Sequence, residues 1–176
     1  MGFIFREGRE FLDPYCLRSM FYALVRSVIE YSCQVWSPYY GVDISRIESI
    51  QRRFLRFALR NLPWNDQLIL PSYEDRLKLL NMPTLKKHRD YLKISFICKI
   101  LNGNFDCPLI LNRLNFKINT RNLRSIQFFS LANYHTNYGR FNPLDSMLML
   151  YNFFSNNLLD NNVKCITFKL NFYNDN

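Results

Sequence analysis

A proline break between two amphipathic helical patterns constrains the fold of this chain more than any other feature of the sequence. The first pattern starts at Asp13-Pro14, where aspartate suits the N-cap and proline suits the first helical position. It stops at Ser37-Pro38, because proline disfavours the helical conformation of the residue before it. We therefore predict a single helix from Pro14 to Trp36 with one buried apolar face. That face comprises Leu17, Phe21, Leu24, Val28, Tyr31 and Val35.

The second pattern begins near Asp43 and carries apolar residues on one face and arginines on another. The apolar positions are Ile47, Ile50, Phe54, Phe57 and Ala58. The basic positions are Arg46, Arg53, Arg56 and Arg60, and Arg52 flanks them. Two amphipathic helices joined by a short connection are expected to pack as an antiparallel hairpin.

Shorter helical patterns follow the hairpin and are separated by prolines. A short helix is predicted from Ser72 to Leu80, and a longer one between Pro83 and Gly103, because glycine suits a helix C-terminus. The longer helix has apolar residues at Leu85, Leu92, Phe96 and Ile100. It also carries a second basic stripe of Lys86, Arg89 and Lys93.

The remainder of the chain combines ambiguous segments with one more helical pattern. NFKIN and IQFFSLANY are expected as strands or as irregular segments, and residues 143–159 again show helical spacing. We predict an all-α chain: a helical hairpin over residues 1–62 and a bundle of shorter helices, packed on it, over residues 63–160. An asparagine-rich tail of low order is expected over residues 161–176.

No set of residues in the sequence has the spacing of a catalytic or metal-binding site. Polymerases and nucleases hold two divalent metals on closely placed carboxylates, and zinc sites use His and Cys at short spacings. His88 and His135 have no such partners, and Cys33 and Cys98 fall on apolar helical faces. The sequence also lacks a glycine-rich phosphate loop. We therefore predict no catalytic residue, no metal site and no cofactor.

Several charged residues on the predicted helices are interpreted as surface residues. Arg26 and Glu30 are four positions apart on the polar side of the first helix. They are expected either to form an exposed ion pair that contributes little to stability or to contact a partner. His88 is expected on a polar face. Glu74 and Asp75 suit the first turn of their short helix, where carboxylates interact favourably with the helix dipole.

The charge of the chain favours a polyanionic partner. Its formal net charge is +9, and several arginines on one helix can form bidentate contacts with phosphates. Tyr39, Tyr40 and Trp64 lie in loops beside the basic helices and are candidates for stacking on bases. The alternative is that the arginines form an ordinary solvated face and the aromatic residues fill a core.

The cysteine pattern and the start of the chain favour an intracellular protein. Five cysteines include no CxxC pair, and their odd number suits a reducing compartment. Charged residues such as Arg6 and Glu7 interrupt the segment where a signal peptide requires an apolar core. No run approaches 18 apolar residues. We expect a cytoplasmic or nuclear protein that is not secreted and does not span a membrane.

The chain resembles the region that follows the catalytic palm in reverse transcriptases of jockey-like and I-factor-like non-LTR retrotransposons. The resemblance begins with MGFIFREGREFLDPYCLRSMFYALVRSVIEYSCQVWSPYY and the arginine-rich helix RIESIQRRFLRFAL. It continues through LPSYEDRLKLLNMPTLKKHR and ILNGNFDCPLILNRLNFKI to RNLR, YHTNYG and NPLDSMLMLYNFF. These segments follow one another in the family's order and cover nearly the whole chain.

The resemblance implies a thumb followed by a C-terminal extension. The thumb of that family grips the template and primer, and the helix from Arg46 to Arg60 is then the candidate for contact with the nucleic-acid backbone. The endonuclease, the fingers and the palm with its Mg²⁺-binding aspartates would precede Met1. The resemblance therefore implies a truncated copy that does not polymerise alone and retains at most weak, nonspecific binding of RNA or DNA.

The same resemblance leaves two alternatives to nucleic-acid binding. A thumb that has lost its palm exposes apolar surface, which favours self-association or a protein partner. The residues expected on that surface are Phe3, Ile4, Phe5 and Phe11. The other alternative is a transposon remnant without a function.

Overall fold

The computed structural model describes residues 1–10, 13–60, 71–118 and 127–157, with side chains as far as residue 154. Within these ranges the chain is helical and contains no sheet, so the all-α prediction is confirmed. Phe11, Trp64, the RNLR segment and the predicted tail over 161–176 lie outside the described residues.

The helices vary from single turns to five turns. The first half contains α1 (Gly2–Glu7), α2 (Pro14–Phe21), a π-helical segment (Tyr22–Arg26), α3 (Ser27–Glu30), α4 (Cys33–Trp36) and α5 (Gly41–Ala58). The helices that follow are α6 (Tyr73–Leu79), α7 (Leu85–Leu101), α8 (Pro108–Leu111), α9 (Asn137–Arg140) and α10 (Pro143–Asn157).

The predicted single helix from Pro14 to Trp36 is wrong, because the structure interrupts it twice. It begins as expected, with the Asp13 carboxylate accepting a hydrogen bond from the Tyr15 amide at 3.0 Å. A π-helical segment then follows Phe21, and Ser32 adopts a left-handed conformation with φ of 50°. This conformation ends the helix, because non-glycine residues rarely adopt it within regular structure.

The π-helical segment changes which residues of this region are buried. Its backbone bonds join residues five apart, so one turn contains more residues than the 3.6 of an α-helix. The residue four positions after Phe21, rather than three, therefore returns to the buried face. Val25 is accordingly buried with Leu17 and Phe21. The predicted core residues Leu24, Val28, Tyr31 and Val35 are exposed instead.

The chain divides into two compact units. The first comprises residues 1–32 and 38–88, and its core includes Phe21 and Phe54, whose rings stack with centroids 4.2 Å apart. Leu77, Leu80 and Met82 complete this core. Residues 71–88 therefore pack with the N-terminal helices, which differs from the predicted boundary at residue 62.

The second unit comprises residues 33–37 and 89–176. Its described core includes Ile97, Phe129 and Leu148. NFKIN and IQFFSLANY, the two segments expected as strands or as irregular structure, form one antiparallel bridge, between Phe116 and Phe129. Asn152 of α10 is buried and hydrogen-bonds the backbone of Phe129.

None of the helices in the described residues combines the length and the apolar character that crossing a bilayer requires.

Candidate nucleic-acid interface

Helix α5 and the turn that follows it present five arginines on one exposed surface, which we call the arginine face. Its members are Arg46, Arg52, Arg53, Arg56 and Arg60, and all five side chains are exposed. At about 100° per residue, these positions fall within about a third of the helix circumference. The opposite side is buried and includes Phe54, Leu55 and Ala58. The structure thus brings five of the eight predicted site residues together.

Two buried polar residues fix the rotation of α5 about its axis. The Nε2 atom of Gln51 donates to the carbonyl oxygen of Pro83 at 2.9 Å. The Oε1 atom of Glu48 accepts hydrogen bonds from the hydroxyl of Tyr73 and, at 3.2 Å, from the backbone amide of Leu85. Because these bonds tie the buried side of α5 to the residues that follow it, the arginines are held on the outside.

Sequence reasoning missed Glu48 and Gln51 as core residues. The signal is their spacing, since Glu48 and Gln51 extend the buried series of Leu55 and Ala58 by intervals of four and three. Burial raises the pKa of the Tyr73 hydroxyl, and its hydrogen bond to Glu48 raises that pKa further. The hydroxyl therefore stays protonated and remains the donor to Glu48.

Arg60 at the end of the arginine face is engaged within the protein. Its Nη2 atom donates to the carbonyl oxygens of Gly8 and Arg9, at 3.3 and 3.0 Å. Its guanidinium also lies over the ring of Phe57, 4.0 Å from the centroid. Arg60 thus anchors the segment after α1, and a ligand would compete with these contacts.

The other members of the arginine face are less constrained. Arg46 forms an exposed ion pair with Asp43 at 3.5 Å, an interaction worth about 0–1 kcal/mol. Arg52 lies over the ring of Tyr73, 5.0 Å from its centroid. The exposed side chains of Arg53 and Arg56 complete the surface.

A sixth arginine lies beside this surface and was not predicted. Arg76 of α6 is buried, and its Nε atom donates to the carbonyl oxygen of Ser72 at 3.3 Å. Burial lowers the pKa of Arg76, and the positive charges of Arg56 and Arg52 lower it further. The positive charges of Arg52 and Arg56 therefore disfavour the charged form of Arg76, which Tyr73 in turn favours. Arg76 directly precedes the buried Leu77, and helical periodicity alone does not predict that an arginine at this position is buried.

The second predicted basic stripe, on α7, is corrected by the structure. Lys86 is exposed, whereas Arg89 is 1% exposed and Lys93 is 7% exposed. Arg89, Lys93 and Ile97 recur every four residues and share a buried side of the helix. Burial is also the main cause of the lowered pKa of Lys93. Arg89 and Lys93 are thus not available to a nucleic-acid backbone in this conformation.

Arg26 and Glu30 form a buried ion pair, and the partly buried His88 contacts its carboxylate, so the predicted surface positions of Arg26 and Glu30 are wrong. The Nε atom of Arg26 lies 3.1 and 3.0 Å from the two carboxylate oxygens of Glu30. The Nδ1 atom of His88 lies 2.8 Å from Oε2 of the same carboxylate. Arg26 ends the π-helical segment, whose wider turn places it inside together with Val25. This network positions the first turn of α7 rather than a ligand.

The aromatic residues before α5 remain accessible. Tyr39 and Tyr40 are 40% and 55% exposed, and their ring centroids lie 4.1 Å apart. The hydrogen bond with Tyr40 raises the pKa of Tyr39. Because Tyr40 is the N-cap residue of α5, this pair lies at the start of the helix that carries the arginine face.

An open cleft of about 720 Å³ lies in the second unit. Its lining is mixed, and its polar members include Asn112, Ser130, Tyr134 and Asp145. A hydrogen bond with Asp145 raises the pKa of Tyr134, so these two groups satisfy each other. None of the buried polar atoms found without a hydrogen-bond partner in the described part of the chain belongs to a lining residue.

Comparison with known proteins adds no assignment to this geometry. Searches against protein-family models, curated proteins and solved structures gave no match. In the part of the chain that the structure describes, no group of three or more His, Cys, Asp or Glu residues is placed to hold a metal ion. Any function must therefore be argued from the surface itself.

Proposed function

We propose that this chain binds the phosphate backbone of RNA or DNA nonspecifically through the arginine face of α5. The observation that carries the proposal is the exposure of all five arginines, four on one side of α5 and Arg60 just beyond its end. Arg46 and Arg56 are ten residues apart, or about 15 Å along the axis, which corresponds to about four nucleotide steps of 3.4 Å. A surface of this length can contact several phosphates of one strand.

The resemblance to the thumb of non-LTR retrotransposon reverse transcriptases supports the same reading. In that family the thumb grips the template and primer, and the resemblance makes α5 the candidate for contact with their backbone. The antiparallel hairpin expected for such a thumb remains part of this proposal. So does a cytoplasmic or nuclear location, where RNA and DNA are present.

We further propose that these 176 residues do not polymerise by themselves. In the related enzymes, Mg²⁺ and the aspartates that bind it belong to the palm, and the thumb contributes only the grip. The purified chain is therefore expected to bind a primed template without extending the primer. A primer-extension assay with Mg²⁺ and nucleotides tests this, and any extension product would contradict it.

Binding by the arginine face predicts a strong dependence on salt. Each neutralised phosphate releases condensed counterions, so the logarithm of the association constant falls linearly with the logarithm of salt concentration. Fluorescence anisotropy with a labelled RNA–DNA hybrid measures this slope between about 50 and 200 mM salt. Replacing Arg46 and Arg53 by Gln should weaken binding and reduce the slope by about two.

A matched control separates the arginine face from net charge. Lys99 and Lys117 are exposed, and replacing both by Gln removes the same two charges elsewhere. We expect that control to retain most of the affinity and the slope. If the control lost as much as the Arg46/Arg53 variant, the binding would reflect overall charge, and the proposed interface would be wrong.

A protein-interaction role is a second candidate, because the structure exposes apolar residues in the first unit. Leu24, Val28 and Tyr31 are 49, 72 and 77% exposed, and we call these three residues the apolar face. Two of the four residues expected from the sequence do not form this surface, since Ile4 is buried and Phe5 packs on Phe57. Phe3 is exposed as expected. Such a surface favours self-association or a partner.

A further inference from the structure

The guanidinium of Arg76 is a buried charge that uses only part of its hydrogen-bonding capacity. The residue is 7% exposed, and its Nε atom donates to the carbonyl oxygen of Ser72. Its Nη1 atom is buried and has no hydrogen-bond partner. A buried ionic group without partners is strongly unfavourable, so this atom indicates a missing interaction.

The surroundings of Arg76 add positive charge. Arg52 and Arg56 are one helical turn apart on α5, and both act on the charge of Arg76. The ring of Tyr73 lies beneath the guanidinium of Arg52 and holds it on this side of the helix. Three like charges in one place are costly unless an anion lies among them.

The neighbouring carboxylate does not supply that anion. Glu48 directs Oε1 to the hydroxyl of Tyr73 and the amide of Leu85. In the described part of the chain, Glu48 forms no ion pair with Arg52 or Arg76. The other carboxylate oxygen of Glu48, Oε2, is buried without a hydrogen-bond partner, so Glu48 does not hydrogen-bond these arginines.

We propose that Arg52, Arg56 and Arg76 form a seat for one phosphate group, with the guanidinium of Arg76 at its base. Guanidinium groups bind phosphate oxygens through paired, charge-assisted hydrogen bonds, and Arg76 has an unused donor for such a bond. The exposed side chains of Arg52 and Arg56 can reorient to admit the anion and close over it. We call these three residues the phosphate seat.

This inference rests on the proposed function, because it names the part of the α5 surface that fixes one backbone phosphate. The same chemistry would also hold free inorganic phosphate. The two sources are distinguished by titrating the protein with inorganic phosphate and, separately, with the RNA–DNA hybrid. The signals to follow are the Nε–Hε resonances of the arginine side chains in ¹⁵N-labelled protein.

The expected result is a saturable shift of the Arg52, Arg56 and Arg76 signals as inorganic phosphate is added. Arg56→Gln and Arg76→Met should weaken that binding at least about tenfold, because each removes a charged donor. Lys78→Gln is the matched control, since it removes one exposed charge from α6, the helix that carries Arg76, outside both the arginine face and the phosphate seat. Its phosphate affinity should stay within about twofold of the unaltered protein. Equal affinity in all variants, or no shift at all, would overturn the proposal.

Folding of the variants is checked by circular dichroism before the titrations. If Arg76→Met does not fold, the comparison of Arg56→Gln with Lys78→Gln decides the outcome, because both positions are exposed. A tenfold difference between these two variants supports the phosphate seat. Similar affinities reject it.

The hybrid titration separates failure of the phosphate seat from failure of the proposed function. If the hybrid shifts the same three signals and then prevents the response to inorganic phosphate, a backbone phosphate occupies the seat. If phosphate binds at the seat but the hybrid does not bind, the seat stands and the proposed function is rejected. If the hybrid binds in a salt-dependent way without shifting these signals, the proposed function stands and the seat is rejected.

Discussion

The side-chain amide of Asn152 hydrogen-bonds both backbone groups of Phe129. Its Oδ1 accepts from the Phe129 amide at 3.1 Å, and its Nδ2 donates to the Phe129 carbonyl at 2.9 Å. The same Oδ1 accepts from the amide of Phe128 at 3.1 Å. Phe129 pairs with Phe116 in a single antiparallel bridge. On its other side, the Asn152 side chain of α10 provides the hydrogen bonds that a second strand would otherwise make.

We predict that Asn152→Leu destabilises the protein by at least about 2 kcal/mol. The substitution keeps the number and branching of the side-chain heavy atoms but leaves buried backbone groups of Phe129 without partners, at about 1–3 kcal/mol for each group. Urea denaturation followed by circular dichroism measures the loss. Asn102→Leu is the control, because Asn102 is exposed, and it should change stability by less than about 0.5 kcal/mol. Equal effects at the two positions would show that the amide of Asn152 does not hold this segment.

Breaking the buried pair of Arg26 and Glu30 should be more harmful than replacing it. Glu30→Leu leaves the Arg26 guanidinium buried without its carboxylate, and we expect a loss of about 3–5 kcal/mol. The double variant Arg26→Met/Glu30→Leu removes both charges and should recover a large part of that loss. A double-mutant cycle from urea denaturation measures the coupling. Additive losses would indicate that the two side chains contribute independently.

The fold class and the arginine face followed from the sequence because both depend on local periodicity. The spacing of apolar residues along α5 leaves its arginines on the other side, and packing confirms that they are exposed. Glu48 and Gln51 share the spacing of the apolar residues, but their polar side chains do not predict burial. Only their partners, Tyr73 and Pro83, explain how such groups can be buried.

Two features depend on long-range packing and could not be predicted from the sequence. The π-helical segment moves Val25 into the core and Leu24 out of it, and no residue type marks such a segment in advance. The basic residues of α7 fall on a helical stripe, but a stripe alone does not say which side of a helix meets solvent. Arg89 and Lys93 are buried because α7 is covered on the side where they lie.

Burial of Lys93 predicts a stability that depends on pH. Burial lowers the pKa of Lys93 in the folded state below its ordinary value of 10.5, although Asp90 opposes the change. Between the two pKa values the unfolded chain binds more protons than the folded chain, so the contribution of Lys93 to stability rises with pH in this interval. Below the folded-state pKa the charged, buried Lys93 is a constant penalty.

Lys93→Met should therefore stabilise the protein most at low pH. The gain over the unaltered protein should be constant below the folded-state pKa of Lys93 and should shrink as pH approaches 10.5. Urea denaturation of both proteins at a series of pH values measures the difference. Lys99→Met is the control, because Lys99 is exposed on the same helix, and its effect should not vary in this way. A pH-independent difference for Lys93→Met would contradict the predicted titration.

The apolar face of the first unit should drive association of the purified chain. Leu24 and Val28 are four residues apart and exposed, so replacing both by Gln removes adjacent apolar surface with little effect on the core. Sedimentation velocity over a range of protein concentrations should show association of the unaltered chain and a shift towards monomer in the double variant. Leu109→Gln/Ile118→Gln is the matched control, because these side chains are equally apolar and more than three-quarters exposed. If the control reduced association and the Leu24/Val28 variant did not, the second unit would carry the contact instead.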